Sequence, residues 1–84
     1  MKVFVVVSKY VEKGPEKKPM FTTNVCVDYA SAHEVVMNQI KKIVGKDYIY
    51  DQPNSTTREF IVRRCYEGWV GSISHRFIIT ENEL

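Results

Sequence analysis

The first patterned segment of the chain is a continuous apolar run at residues 3–7, which contains four valines and a phenylalanine. A run this short, rich in β-branched and aromatic residues, is typical of a strand that is covered on both faces. Residues 21–29 alternate instead, with mostly apolar or aromatic side chains at odd positions and polar or small ones at even positions. We therefore expect an interior strand followed by a second strand that has one face more exposed to solvent.

A helix is predicted at residues 32–44. Ser31 and Glu34 have the spacing of a capping box, in which each side chain accepts from the other residue's amide. Gly45 is expected to end the helix in a left-handed conformation. The apolar positions recur at helical spacing and form a one-sided stripe: Val36, Met37, Ile40, Ile43 and Val44. Because the stripe is one-sided, the helix covers one face of a sheet and leaves the other face open.

The last third of the chain predicts three strands. Tyr48–Tyr50 is expected to be a short edge strand, and residues 51–57 form a loop rich in turn formers. Two longer strands then meet at a two-residue turn, Glu67-Gly68, which places Tyr66 opposite Trp69. Extending this register gives the pairs Arg64–Gly71, Val62–Ile73, Phe60–His75 and Arg58–Phe77. A three-residue loop with a bulge would shift the register by one.

Facing residues of an antiparallel pair share one side of the sheet. The register therefore predicts a helix-covered set: Phe60, Val62, Arg64, Tyr66, Trp69, Ile73, His75, Phe77 and Ile79. The opposite set is mixed, with Glu59 and Arg76 as a cross-strand ion pair. Trp69 and Tyr66 at the hairpin end are either a core anchor or an exposed platform, and we expect the core anchor, since aromatic side chains dominate small cores.

These elements predict one α+β domain over residues 1–84, in the order ββαβββ. The sheet is expected to be mainly antiparallel, with four or five strands and one helix packed on one face. The charged segment of residues 12–20, which contains Gly14-Pro15 and Pro19, predicts a connection between the first two strands. The strand order does not follow from the sequence.

Composition narrows the classes of function. The chain is 44% hydrophobic and 26% charged with a net charge of +2, which is too small to indicate nucleic-acid binding by itself. No apolar run approaches the roughly 20 residues of a membrane span, and no signal-peptide pattern is visible. We therefore expect a cytoplasmic protein without a membrane partner, in which Cys26 and Cys65 remain reduced thiols.

Catalysis is not expected. A cysteine nucleophile needs a nearby base, and His33 and His75 are the available histidines. His75 is predicted on the helix-covered face and both cysteines on the other, so the layers separate them. No His, Cys or carboxylate spacing supplies three convergent metal ligands, and nothing indicates a cofactor. A cysteine-dependent enzyme is the least favoured alternative.

Protein binding through the open face is the favoured hypothesis, with a homodimer as the simplest assembly and an accessory or inhibitor-type role compatible with it. The candidate interface residues are Phe4, Val6, Ile61, Arg63, Cys65, Val70, Arg76 and Ile78. If Phe4 and Val6 face the helix instead, their neighbours Val3, Val5 and Val7 take their place on the open face. Binding of single-stranded nucleic acid is the alternative, because it uses basic and stacking aromatic side chains on a sheet. Its candidate residues are Arg58, Arg63, Arg64, Tyr66, Trp69 and Arg76.

Overall fold

A computed structural model describes residues 1–10 and 20–84. It contains β1 (Lys2–Tyr10), β2 (Met20–Cys26), α1 (Tyr29–Ile43), β3 (Tyr48–Tyr50), a 3₁₀ turn (Gln52–Asn54), β4 (Glu59–Tyr66) and β5 (Trp69–Glu83). The predicted α+β class, element order and short third strand are confirmed. The predicted connection at residues 12–20 lies, except for its last residue, outside the described residues.

The five strands form one antiparallel sheet in the order β2-β1-β5-β4-β3. The prediction that the apolar run is an interior strand is confirmed, because β1 lies between β2 and β5. The fifteen-residue β5 is the middle strand, and it pairs with β1 from His75 onward and with β4 from Trp69 to Ile78. The part of β5 before His75 therefore extends beyond the β1 ladder.

α1 packs on one side of the sheet, but it begins three residues earlier than predicted. Asp28 is the N-cap, and its Oδ1 accepts a hydrogen bond of 2.7 Å from the Ser31 amide. The predicted capping box is therefore wrong. The Tyr29 ring contacts Phe4 edge-on with centroids 6.1 Å apart, and this contact favours the earlier start.

The end of α1 also differs from the prediction. The helix stops at Ile43, and Val44 is the C-cap in an extended conformation with φ −62° and ψ 132°. Gly68 is the glycine with a positive φ among the described residues, so Gly45 does not supply a left-handed stop. The Val44 amide still donates to the Ile40 carbonyl at 2.8 Å, which satisfies one carbonyl of the last turn.

The core lies between α1 and the sheet. Its fully buried members are Val6, Ala32, Val36, Ile40, Phe60, Val62, Phe77 and Ile79. Phe4 packs against this core and Val6 is completely buried in it, so their assignment to the open face is wrong. Strand alternation then places Val3, Val5 and Val7 on the opposite side.

Cys26 is also on the helix side, contrary to the prediction. It pairs with Phe4 across the β1–β2 ladder and packs against the core. Thr23 and Val25 therefore face away from α1, on the uncovered side of the sheet.

The predicted hairpin turn between β4 and β5 is confirmed. Glu67 and Gly68 have φ values of 40° and 85°, and Tyr66 pairs with Trp69. The turn is of the primed type that suits a two-residue hairpin.

The register beyond the turn differs from the prediction through two irregularities, so Phe60 faces Phe77 and Val62 faces His75. Each irregularity shifts the register by one residue, and a total shift of two keeps a side chain on the same side of the sheet. Phe60, Val62, His75 and Phe77 therefore remain on the helix side, as predicted. Ile73 lies between the shifts, opposite Arg63, and so moves to the open side. Ser74 lies at the first shift, between the partners of Val62 and Arg63, and its buried hydroxyl donates to the Val62 carbonyl at 3.1 Å.

Candidate interaction surface

The side of the sheet opposite α1 is called the open face here. Cross-strand pairs define it: Val5 faces Val25 and Thr80, Val7 faces Ile78, Ile61 faces Arg76, and Arg63 faces Ile73. Among the predicted interface residues, Ile61, Arg63, Arg76 and Ile78 lie on this face. Cys65 and Val70 pair with each other at its hairpin end.

Exposure across the open face is uneven. Ile61 is only 6% exposed, and Val3 is equally covered, whereas Val5, Val7 and Ile78 are half-buried. Val25 is 67% exposed, and Val27, just after β2, is 75% exposed. Ile61 therefore offers almost no surface to a partner, and exposed apolar area increases toward β2. The sequence prediction missed Val25 and Val27, although the apolar odd positions of residues 21–29 were its signal.

Arg63 is held within the chain. Its Nε donates to the Asp51 carboxylate, and its Nη1 donates to the Gly71 carbonyl at 3.3 Å. Asp51 also accepts from Asn54 Nδ2 at 2.7 Å. The hydrogen bond from Asn54, and to a smaller extent the one from Arg63, holds the pKa of Asp51 below its usual range. The Arg63 charge is thus compensated inside one protomer.

Arg76 is compensated in a similar way. Its Nε lies 3.4 Å from Glu59 Oε1, without the alignment of a hydrogen bond. The expected Glu59–Arg76 ion pair therefore forms, although Ile61 rather than Glu59 stands directly opposite Arg76. The contact is diagonal because the bulges shift the register of β4 against β5. Both basic residues predicted for the interface are consequently paired with carboxylates.

The hairpin tip, residues 66–70, is the second exposed apolar region. Trp69 is 75% exposed, Val70 58% and Tyr66 50%. The expectation that both aromatics anchor the core is wrong. The tip extends beyond Tyr10, where the β1 ladder with β5 ends, so α1 and β1 do not reach it.

The Tyr66 ring contacts two residues of the hairpin. The Tyr66 ring lies so close to Gly71 that a Cβ there would be 2.9 Å from Cε2. The Arg64 guanidinium stands over the same ring, 4.9 Å from its centroid. Gly71 therefore leaves room for the Tyr66 ring.

An open groove of about 810 Å³ runs beside the tip, lined by Lys46, Asp47, Arg64, Cys65, Tyr66, Glu67, Gly68 and Trp69. Two basic and two acidic side chains line the groove, so its electrostatic potential is not dominated by one sign of charge. Arg58 precedes β4 at its opposite end, roughly 25 Å from Tyr66 at about 3.3 Å per residue. The structure therefore does not bring Arg58 together with the aromatic residues.

The histidines lie among aromatic rings on the helix side. His75 contacts Tyr10, Tyr48 and Phe77, and its Nδ1 is 2.8 Å from Ser74 Oγ. Because Cys26 is on this side too, the predicted separation of both cysteines from His75 is wrong for Cys26. Within residues 1–10 and 20–84, no three His, Cys, Asp or Glu side chains form a group that could hold a metal.

Comparisons of the chain with protein-family models, with curated proteins and with solved structures find no match. In the part of the chain that the structure describes, no helix has the length and apolar character to cross a membrane.

Proposed function

We propose that this chain is a non-catalytic protein-interaction module that forms a homodimer through its open face. The observation that carries the proposal is the exposed apolar margin formed by Val25 and Val27 beside half-buried Val5, Val7 and Ile78. Burying a valine side chain fully is worth about 1.5–3 kcal/mol relative to exposure, so this margin favours a covering surface.

The charges on this face favour a second copy as the partner. A two-fold axis sets a surface against itself, so a face dominated by one sign of charge would repel its copy. Here Arg63 is paired with Asp51 and Arg76 with Glu59, so these two basic side chains are already compensated within one protomer. When the same surface of two copies meets, each of these arginines brings its own carboxylate to the contact.

The test places a charge on the open face at exposed positions. Ile61→Glu is unsuitable because Ile61 is buried within one protomer, whereas Val25 and Thr80 are exposed. Val25→Glu and Thr80→Glu are expected to raise the dimer dissociation constant at least about tenfold, equal to about 1.4 kcal/mol, in sedimentation equilibrium. Asn38→Glu, on the exposed side of α1, is the control and is expected to leave the dissociation constant unchanged.

A wild-type chain that sediments at 9.8 kDa up to about millimolar concentration refutes the homodimer. Equal effects of Thr80→Glu and the control also refute the open face as the contact. Circular dichroism of each variant checks that α1 is retained, so that a loss of assembly is not a loss of fold.

The alternative is binding of single-stranded nucleic acid at the hairpin tip, and the exposure of Tyr66 and Trp69 is the observation that favours it. Stacking on such side chains is worth about 1–3 kcal/mol per base. Charge argues against it, because Arg63 and Arg76 are paired and the groove carries equal numbers of basic and acidic residues. Phosphate contacts normally supply much of the affinity.

Trp69 is the one tryptophan in the chain, so its fluorescence reports directly on stacking. We expect little quenching by an oligothymidine at about 150 mM salt. A sub-micromolar complex at that salt concentration that weakens in both Trp69→Ala and Arg63→Ala would favour the nucleic-acid function instead. Asn38→Ala serves as the matched control.

A further inference from the structure

β2 is an edge strand of the described sheet. Among residues 1–10 and 20–84 it has a neighbouring strand on one side only, and its seven residues, Met20–Cys26, include no charged residue and no proline. Exposed edges of folded proteins are commonly blunted by short length, charges, proline or a bulge. The other edge strand of this sheet, β3, is only three residues long. β2 is therefore the edge at which another strand can add.

The outer side of β2 presents backbone groups as well as side chains. Residues 22–25 are exposed, and the β1 ladder uses only the inner side of the strand. The backbone hydrogen bonds formed outside the helices and ladders of the described chain do not involve residues 22–26. An extended strand can therefore pair here through main-chain hydrogen bonds, which is the mode of β-strand addition.

We propose that β2 pairs antiparallel with β2 of a second copy, so that two five-stranded sheets join edge to edge into one continuous sheet. Antiparallel pairing of identical strands has two-fold symmetry, and any register brings only uncharged side chains opposite each other. The exposed Thr22, Thr23 and Asn24 can then form cross-strand hydrogen bonds. A neutral strand pairs with its own copy without placing like charges opposite each other, which favours a second copy as the occupant.

This contact is separate from the open-face contact proposed above and does not depend on it. Edge pairing uses the outer side of β2 and leaves both faces of the sheet free. Asn24 faces the helix side, since it is opposite Val6, whereas Thr80 lies on the open face opposite Val5. Variants at these two exposed positions therefore perturb the two contacts independently.

The test combines sedimentation with amide hydrogen exchange. In the wild-type chain, protection of amides within residues 22–26 is expected to rise at least about tenfold between about 1 μM and 500 μM. Asn24→Lys is expected to abolish this rise and to weaken assembly, because a lysine on the edge opposes strand pairing. Asn38→Lys adds the same charge on α1 and is expected to leave both measurements unchanged.

The outcomes separate the two contacts. Loss of assembly in Asn24→Lys with assembly retained in Thr80→Glu supports edge pairing and argues against the face contact. Loss in Thr80→Glu, with Asn24→Lys equal to wild type, overturns edge pairing. If Asn24→Lys fails to fold, exchange in the wild type still decides: rates at residues 22–26 that do not depend on concentration overturn the proposal.

Discussion

A side chain at Gly71 would clash with the β4–β5 hairpin. A Cβ at this residue would lie 2.9 Å from the Arg64 carbonyl oxygen and 2.9 Å from Tyr66 Cε2. The Tyr66 ring is half exposed and can rotate away. The Arg64 oxygen belongs to the β4 backbone, so it moves only if the hairpin itself is displaced.

The expected cost of Gly71→Ala follows from two opposing terms. Overpacking typically costs about 1–3 kcal/mol, while the smaller entropy of the unfolded alanine chain returns about 0.4–1 kcal/mol. We expect a net loss of about 1–2 kcal/mol. For a domain of this size that lowers the melting temperature by roughly 5–15 °C.

Gly45→Ala is the matched control, because no atom lies within 4 Å of a Cβ built there. It is expected to leave the melting temperature unchanged or raise it slightly. Adding Tyr66→Ala to Gly71→Ala is expected to recover only part of the loss, since the clash with the Arg64 backbone remains. Thermal unfolding of dilute protein measures all three variants, and a Gly71→Ala chain as stable as Gly45→Ala would refute the described geometry of the hairpin tip.

Three further predictions test the helix cap, the open-face ion pair and the core. Asp28→Ala is expected to lower the melting temperature while Ser31→Ala changes it little, because the Asp28 carboxylate accepts the bond to the Ser31 amide. The pKa of Asp51 is lowered in the folded state, so its contribution to stability is present above the unfolded pKa of about 3.9 and is lost as the pH falls through the folded value. Urea unfolding from about pH 6 to pH 2 should therefore show a shallower decline for Asp51→Asn than for wild type. Phe77→Ala is expected to cost about 3–5 kcal/mol, and Trp69→Ala less than about 0.5 kcal/mol, in the same urea assay.

Local patterns were sufficient for the order of elements. The apolar run of β1, the Glu67-Gly68 turn and the short Tyr48–Tyr50 strand each depend on neighbouring residues, and all three are confirmed. The start of α1 required more than local information. Asp28 and Ser31 are both good N-caps, and the packing of Tyr29 on Phe4 favours the earlier one.

The assignment of sides could not come from the β1 sequence, because five successive apolar residues look alike on both faces. The pairing of Val6 with Ile79, beneath α1, is what makes Val6 a core residue. The bulges between β4 and β5 are similarly invisible in the sequence. They depend on contacts such as the Ser74 hydroxyl with the Val62 carbonyl.

The candidate site was predictable only in part. Arg63, Arg76 and Ile78 lie on the open face as expected, but Ile61 is covered. The exposed residues Val25 and Val27 follow from the sidedness of β2, which is fixed by the pairing of Cys26 with Phe4. Trp69 was misassigned because burial at a hairpin end depends on how far the neighbouring strand extends.

The two exposed apolar regions lie far apart, and this separation gives one further expectation for the assembled protein. β2 is separated from β4 by two strands, about 14 Å at the usual strand spacing, and Trp69 lies six residues beyond His75 along β5, about 20 Å. A dimer formed at the β2 side, by the edge or by the adjoining part of the open face, therefore leaves both hairpin tips exposed. The emission maximum of Trp69 should not change over the concentration range in which the chain assembles. A shift to shorter wavelength with assembly would place the tip inside the contact and would contradict both proposed geometries.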